Sequence, residues 1–193
     1  DRAAELAKFA NHQNDLRKSL VDQFYKQAVD QVEADGVANK STLVVVGDNW
    51  HQGVLGIVAS RLVEKYQRPT LVLTTQDESD DAKGSGRSID NFDLFAAINP
   101  IRDQLVAFGG HHSAVGLTVN KQNIQSLRDQ LEKAAAEQQL DLSVKPKLEI
   151  AAKIGVNRIT PEFVDKLKVL APFGQDNPKP IFDVQYDQVQ NVK

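Results

Sequence analysis

The chain has 193 residues, 41% hydrophobic and 25% charged, with a formal net charge of −3. That composition fits a soluble globular protein of one or two domains with enough chain to bury a core, and it excludes a basic stripe over the whole molecule, so any nucleic-acid contact is a local patch. There is no cysteine, which excludes disulfides, thiol nucleophiles and zinc knuckles and suits the expected cytoplasmic location. No apolar run approaches the roughly 18 residues of a membrane span, and the start lacks a signal-peptide pattern. The first residue is Asp1 and methionine is absent, so an excerpt from a longer chain is expected.

Residues 1–35 contain neither glycine nor proline, and Leu16, Leu20, Phe24, Ala28 and Val32 recur every four positions. This predicts a long helix with one apolar stripe, more polar around Asn11 to Asn14 and stopped at Asp35-Gly36. Such a helix either bridges to a preceding domain or packs on its own. The run Thr42 to Gly47 reads as a buried strand, Val54 to Tyr66 as a helix presenting Ile57, Val58, Leu62 and Tyr66, and Thr70 to Thr74 as a second strand. Strand, helix and strand within about 35 residues make a βαβ unit with parallel pairing. Its first turn, holding Trp50 and His51, follows the carboxyl end of a strand, where open α/β sheets place ligands. A core-capping tryptophan and an exposed loop histidine are the plainer reading.

An acidic turn leads into Ala82 to Ile89. If extended, Lys83, Ser85 and Arg87 share one face, with Ala82, Gly84, Gly86 and Ser88 on the other. A Lys-Ser-Arg face suits a phosphodiester, and the two glycines point to close approach by a ligand or backbone. A charge-protected edge strand has the same pattern. Phe92 to Ile98 reads as a short helix capped by Asp90 or Asn91. Then comes Phe108-Gly109-Gly110-His111-His112-Ser113, read as a turn feeding a strand. Paired glycines bring backbone N–H groups close to a ligand, and an imidazole adds a donor or a charge.

Ile124, Leu127, Leu131 and Ala134 mark a helix ending near Gln139, and Lys145-Pro146 reads as a linker. Leu148 to Ile154 reads as a strand. Thr160-Pro161 opens a helix with Phe163, Leu167 and Leu170 on its face. A turn-rich segment from Pro172 to Phe182 follows, with a strand after it. The last portion has too little apolar material for a complete domain. No H-E-x-x-H, EF-hand loop or P-loop occurs.

Three segments in order resemble one family. Asn49-Trp50-His51-Gln52-Gly53-Val54-Leu55-Gly56-Ile57-Val58-Ala59-Ser60-Arg61, then Gly84-Ser85-Gly86-Arg87-Ser88, then Gly109-Gly110-His111 with Ala114 and Gly116, are similar to the DHH-associated domain of RecJ-type single-strand-specific DNA exonucleases in the DHH phosphoesterase superfamily. Pro172-Phe173-Gly174 with Asn177-Pro178 resembles the entry to their OB-fold domain. The resemblance implies a mixed α/β sheet with a βαβ core flanked by helices, and the start of a smaller OB-like β domain. It assigns 1–40 to a linker helix, 41–142 to the DHH-associated domain and 143–193 to the OB entry.

The resemblance also implies the substrate-gripping part of a metal-dependent 5′-to-3′ exonuclease of recombination and repair, inactive alone. The Mn²⁺ or Mg²⁺ would sit in a DHH domain outside this chain, single-stranded DNA would be the partner, and no cofactor or membrane is involved. His111 and Arg87 would contact the scissile phosphate, with Gly109, Gly110, Ser88, Ser85 and His51 around it. Residue 49 is Asn where the family commonly has Gly. An oligoribonuclease or nucleotide phosphatase of the same superfamily, and a non-catalytic docking module, are the competing readings.

Overall fold

The computed structural model describes residues 1–36, 39–144, 148–174 and 176–186. The chain divides into two compact units, Asp1–Ser143 and Val144–Lys193. In the first, α1 (Arg2–Ala34) precedes β1 (Leu43–Asp48), α2 (Leu55–Tyr66), β2 (Thr70–Thr75), β3 (Asp81–Arg87), α3 (Leu94–Ile98), β4 (Leu105–His111), β5 (Ala114–Asn120) and α4 (Ile124–Glu137). The five strands form one sheet in the order β1-β2-β3-β5-β4. β1 and β2 pair in parallel through the expected βαβ unit, and every other pairing is antiparallel.

Both faces carry helices, because the strands of the βαβ unit are apolar on both sides. Leu43, Val45 and Val72 pack with α1 and α2 around Val21, Phe24, Ala28, Val58 and Leu62. Leu71, Leu73, Ala82, Val115, Leu117 and Val119 pack with α3 and α4 around Leu94, Ile98, Leu127 and Leu131. α1 runs unbroken, with Gly36 at φ +76° just past its end. Its packing begins at Leu20; residues 1–19 are exposed, Leu6, Phe9 and Leu16 among them. On α2 the buried positions are Leu55, Val58, Ala59 and Leu62, so Ile57 and Tyr66 lie further from the core than the periodicity placed them.

Several local expectations are corrected. The cap of α3 is Asp93, whose carboxylate accepts from the Ala96 amide at 2.8 Å, because Asp90 and Asn91 are taken up in a turn closed by the Phe92 amide on the Ile89 carbonyl. Gly109, Gly110 and His111 finish strand β4, and the reversal falls on His112-Ser113. β3 is a central strand, so edge protection does not explain its charges. The two β3 glycines make room for core side chains and not for a ligand: a Cβ on Gly86 would stand 2.7 Å from Leu94 Cδ2 and 2.8 Å from Val115 Cγ2, and one on Gly84 would strike Leu73.

The outer edge of β1 is sealed by side chains. The Gln31 amide pairs with Val46 as a neighbouring strand would, accepting from its N–H at 2.9 Å and donating to its carbonyl at 3.3 Å. Arg128 donates to the Val44 carbonyl, and the Glu132 carboxylate accepts from the Thr42 amide and hydroxyl and from the Ser41 amide. An edge with so many of its polar groups engaged by side chains is a poor template for a further strand.

In the second unit β6 (Ile150–Gly155) pairs in parallel with β7 (Ile181–Gln185), with α5 (Pro161–Leu167) between them. The Thr160 hydroxyl caps α5 through the Phe163 amide, and Phe163 meets Phe182 edge-on with centroids 5.5 Å apart. Phe163 and Leu167 are half-buried while Leu170 is exposed, so the apolar face of α5 is shorter than expected. The Asn177 side chain closes the Pro172 turn by donating to the carbonyls of Leu170 and Pro172. The Lys145-Pro146 linker lies outside the described residues, as does Gln175.

Candidate nucleic-acid interface

Strand register brings the sequence-predicted residues together. Arg87 pairs with Ala114 and Ala114 with His111, so the three form one row across β3, β5 and β4. Ser85, Gly116 and Gly109 form the next row. Residues directly opposite in a sheet share a face, and two strand spacings put the Arg87 and His111 backbones about 10 Å apart. This is the face that carries α2, since a Cβ on Gly56 of α2 would stand 2.6 Å from Arg87 Nη2 and 3.1 Å from Ser85 Oγ. Gly56 therefore makes room for the guanidinium at the margin of the helix.

Beyond that margin the face is bare among the described residues. Gly109, Gly116 and His111 are exposed, and a Cβ on Gly109 or Gly116 would meet no atom within 4 Å. Packing gives no reason for glycine at either position. Gly110 differs: its φ is +141° and a Cβ there would collide with the Ala114 carbonyl and the Val115 Cα, so the hairpin itself demands glycine.

Arg87 Nη1 donates to Ser85 Oγ at 3.1 Å and to the Gly86 carbonyl at 2.7 Å, which folds the side chain back over its own strand. Arg87 has no carboxylate partner among the described residues. A half-buried cation without a counter-ion beside a bare surface is poised for an anion.

His111 Nδ1 lies 3.0 Å from Ser113 Oγ and 3.4 Å from the Ser113 amide, and its ring meets His112 edge-on at 5.4 Å. The hairpin tip is tied to the segment after β3. Ser88 N–H donates to the Ser113 carbonyl and Leu94 N–H to the His112 carbonyl, each at 2.9 Å.

Two predicted residues stand apart from this row. The Ser88 hydroxyl donates to the Phe92 carbonyl at 2.7 Å, so its hydrogen is already used and its backbone serves as the tie for the hairpin. His51 is exposed in the β1–α2 loop, and its Nδ1 accepts from the Gly53 amide at 3.1 Å as a local cap. Trp50 stacks on Phe24 at 5.0 Å and donates to Gln27, which places it in the core. Sequence reasoning named neither Gly56, Ser113 nor Gly116 as site residues. Gly56 and Gly116 carried a signal as glycines inside a helix and a strand; Ser113 carried none.

A family model described as the DHHA1 domain matches residues 39–137, and one described as the RecJ OB domain matches 150–193. The chain belongs to the DHHA1 family, in its RecJ branch. It is 36% identical over 191 residues to the single-stranded-DNA-specific exonuclease RecJ of Bacillus subtilis, covering 99% of this chain and 24% of that protein. The namesake of Haemophilus influenzae is 29% identical over 142 residues, with 72% and 24% covered. The chain therefore spans about a quarter of the length of these RecJ relatives.

Among solved structures, Thermus thermophilus RecJ in complex with Mg²⁺ superposes with a TM-score of 0.66 at 24% identity, covering 89% of this chain and 26% of that one. An exonuclease RecJ bound to manganese gives 0.58 at 26% identity, covering 69% and 32%. These establish the RecJ fold for the mixed sheet, the long first helix and the separate strand pair. Asn49 sits at φ +58°, a left-handed position that suits the glycine of the RecJ-type pattern and that asparagine tolerates. Among the described residues no group of three or more His, Asp or Glu stands close enough to hold a metal ion. No helix among them is long and apolar enough to cross a membrane.

Proposed function

We propose that this chain grips single-stranded DNA for a metal-dependent 5′-to-3′ exonuclease of recombination and repair. The divalent ions would belong to a DHH domain outside the chain. The observation that carries the reading is the juxtaposition of Arg87, Ser85 and His111 around Gly109 and Gly116, two glycines that packing does not require. A phosphodiester backbone can lie flat on such a surface. The unbonded guanidinium nitrogens of Arg87 reach it from one side and His111 Nε2 from the other, with the Ser85 hydroxyl and the side-chain-free Cα atoms of Gly109 and Gly116 beneath.

Charge-assisted hydrogen bonds of this kind contribute about 1.5–3 kcal/mol each. Ser88 supports the grip through its backbone tie to Ser113. The match of residues 150–193 to the RecJ OB domain supports the exonuclease over the oligoribonuclease reading.

The test is a titration of a labelled single-stranded oligonucleotide with the chain at several salt concentrations. Binding should weaken with a log–log slope near −0.7 per phosphate contacted. Arg87→Ala and His111→Ala should each weaken it further while the melting temperature stays unchanged. Affinity indifferent to salt and to both substitutions would sink the reading.

A further inference from the structure

We propose that Ser113 is a positioning residue that sets the tautomer of His111, so that the imidazole presents a hydrogen at Nε2 to the bound strand. The proposal rests on the reading of His111 as a phosphate donor.

Two groups of Ser113 face the same ring nitrogen, the amide at 3.4 Å and the hydroxyl at 3.0 Å from Nδ1. A backbone N–H only donates, so the nitrogen it faces carries a lone pair and no hydrogen. The hydroxyl then donates to that same lone pair. In the neutral ring the one hydrogen left belongs on Nε2, the ring nitrogen without a protein partner among the described residues. A phosphate oxygen only accepts, so the opposite tautomer would set lone pair against lone pair.

The device is held in place by the hairpin tip. The Ser113 carbonyl takes the Ser88 amide, the His112 carbonyl takes the Leu94 amide, and Gly110 admits no side chain. Ser113 therefore links the imidazole to the segment that follows Arg87. His112 stands edge-on to the ring at 5.4 Å, and Arg87 lies in the same row two strands away.

Ser113→Ala removes the hydroxyl and keeps the amide, and Ser113→Thr restores the hydroxyl. The chain has four histidines, so long-range proton–nitrogen NMR of ¹⁵N-histidine-labelled protein resolves each ring, with His111 assigned by its loss in His111→Gln. Spectra are taken about two pH units above the ordinary imidazole value, where the ring is neutral. The Nε2–H form should dominate at His111 in the parent and in Ser113→Thr. In Ser113→Ala the ratio should move about fivefold toward that of free histidine.

A labelled oligothymidylate should bind Ser113→Ala several-fold more weakly and Ser113→Thr normally. A merely structural role would lower the melting temperature and leave the nitrogen shifts alone. Nitrogen shifts of His111 unchanged in Ser113→Ala overturn the proposal. A shifted ratio with unchanged affinity upholds the positioning role and removes His111 from the phosphate contacts.

Discussion

The covered and the bare parts of the sheet use the same residue for opposite ends. Over β1, β2 and β3 the surface is covered: Val45 and Val72 are buried beneath α1 and α2, and the free edge of β1 is closed by Gln31, Arg128 and Glu132. Over β5 and β4 no described residue covers Gly116, Gly109 or His111. In β3 glycine is small so that Leu73 and Leu94 can press in from the other face. In β4 and β5 it is small with no protein atom to accommodate. Glycine in a strand marks close approach, and what approaches has to be read from the neighbours it would strike.

The largest expected effect lies in the bare half. In the full-length enzyme, Arg87→Ala should lower turnover on single-stranded DNA by roughly 10²–10³, the cost of losing one donor aimed at developing charge. The thermal melt should not move, because among the described residues the guanidinium bonds only Ser85 and the adjacent carbonyl. A drop in melting temperature that matched the loss of rate would make Arg87 part of the covered half.

Gly110→Ala comes next and lies on the boundary. The backbone φ of +141° and the collision with Ala114 and Val115 should cost about 3 kcal/mol, read as a lower denaturant midpoint, with binding weakened because the tip carrying His111 moves. Gly86→Ala should cost about 2 kcal/mol by overpacking Leu94 and Val115, and the folded fraction should bind DNA as the parent does. Weakened binding by fully folded Gly86→Ala would erase the distinction between the two kinds of glycine.

The fold was legible where apolar period and turn chemistry agreed. The unbroken stripe through Phe24, Ala28 and Val32, the apolar Leu71-Val72-Leu73 run of β2 and the Arg68-Pro69 stop placed α1, α2 and the parallel pair within a residue or two. The alternation of Lys83, Ser85 and Arg87 against Ala82, Gly84 and Gly86 was also legible, because a period of two needs no tertiary knowledge. Strand order was not. That β5 inserts between β3 and β4, and so aligns Arg87 with His111, is a long-range choice invisible to local pattern. The same gap explains Gly109-Gly110, read as a turn when the turn is one step later, and Ser88, whose hydroxyl is taken by Phe92. Ser113 had no local signal, since its importance lies in a ring two residues away.

The sealed edge supplies a pH test. Burial pushes the Glu132 carboxyl up, but hydrogen bonds from the Thr42 hydroxyl and from the Ser41 and Thr42 amides outweigh it and hold the group below its ordinary value of 4.5. A carboxylate with a depressed folded-state pKa stabilises fully above its unfolded value and loses that contribution as pH falls through the folded one. The stability difference between the parent and Glu132→Gln should therefore be constant near neutrality and shrink on acidification below 4.5. A difference that grew on acidification would mean the carboxylate is not held by the β1 edge. DNA binding should be the same in both proteins near neutrality, since this edge lies at the far side of the sheet from β4.

The smallest effect on stability is the sharpest for the comparison. Gly109→Ala adds the same methyl group as Gly86→Ala, in the same sheet, to a residue with no positive φ and no atom within 4 Å of the new carbon. Its denaturant midpoint should stay within about 0.5 kcal/mol of the parent, or rise slightly, because alanine loses less backbone freedom than glycine on folding. Its affinity for a single-stranded oligonucleotide should fall, because the methyl group stands where the phosphodiester would lie. The two alanines then make a crossed pair, one losing stability and keeping affinity, the other keeping stability and losing affinity. If Gly109→Ala bound as tightly as the parent, the bare surface would not be where the strand rests, and the grip would shift to Arg87 and the margin of α2.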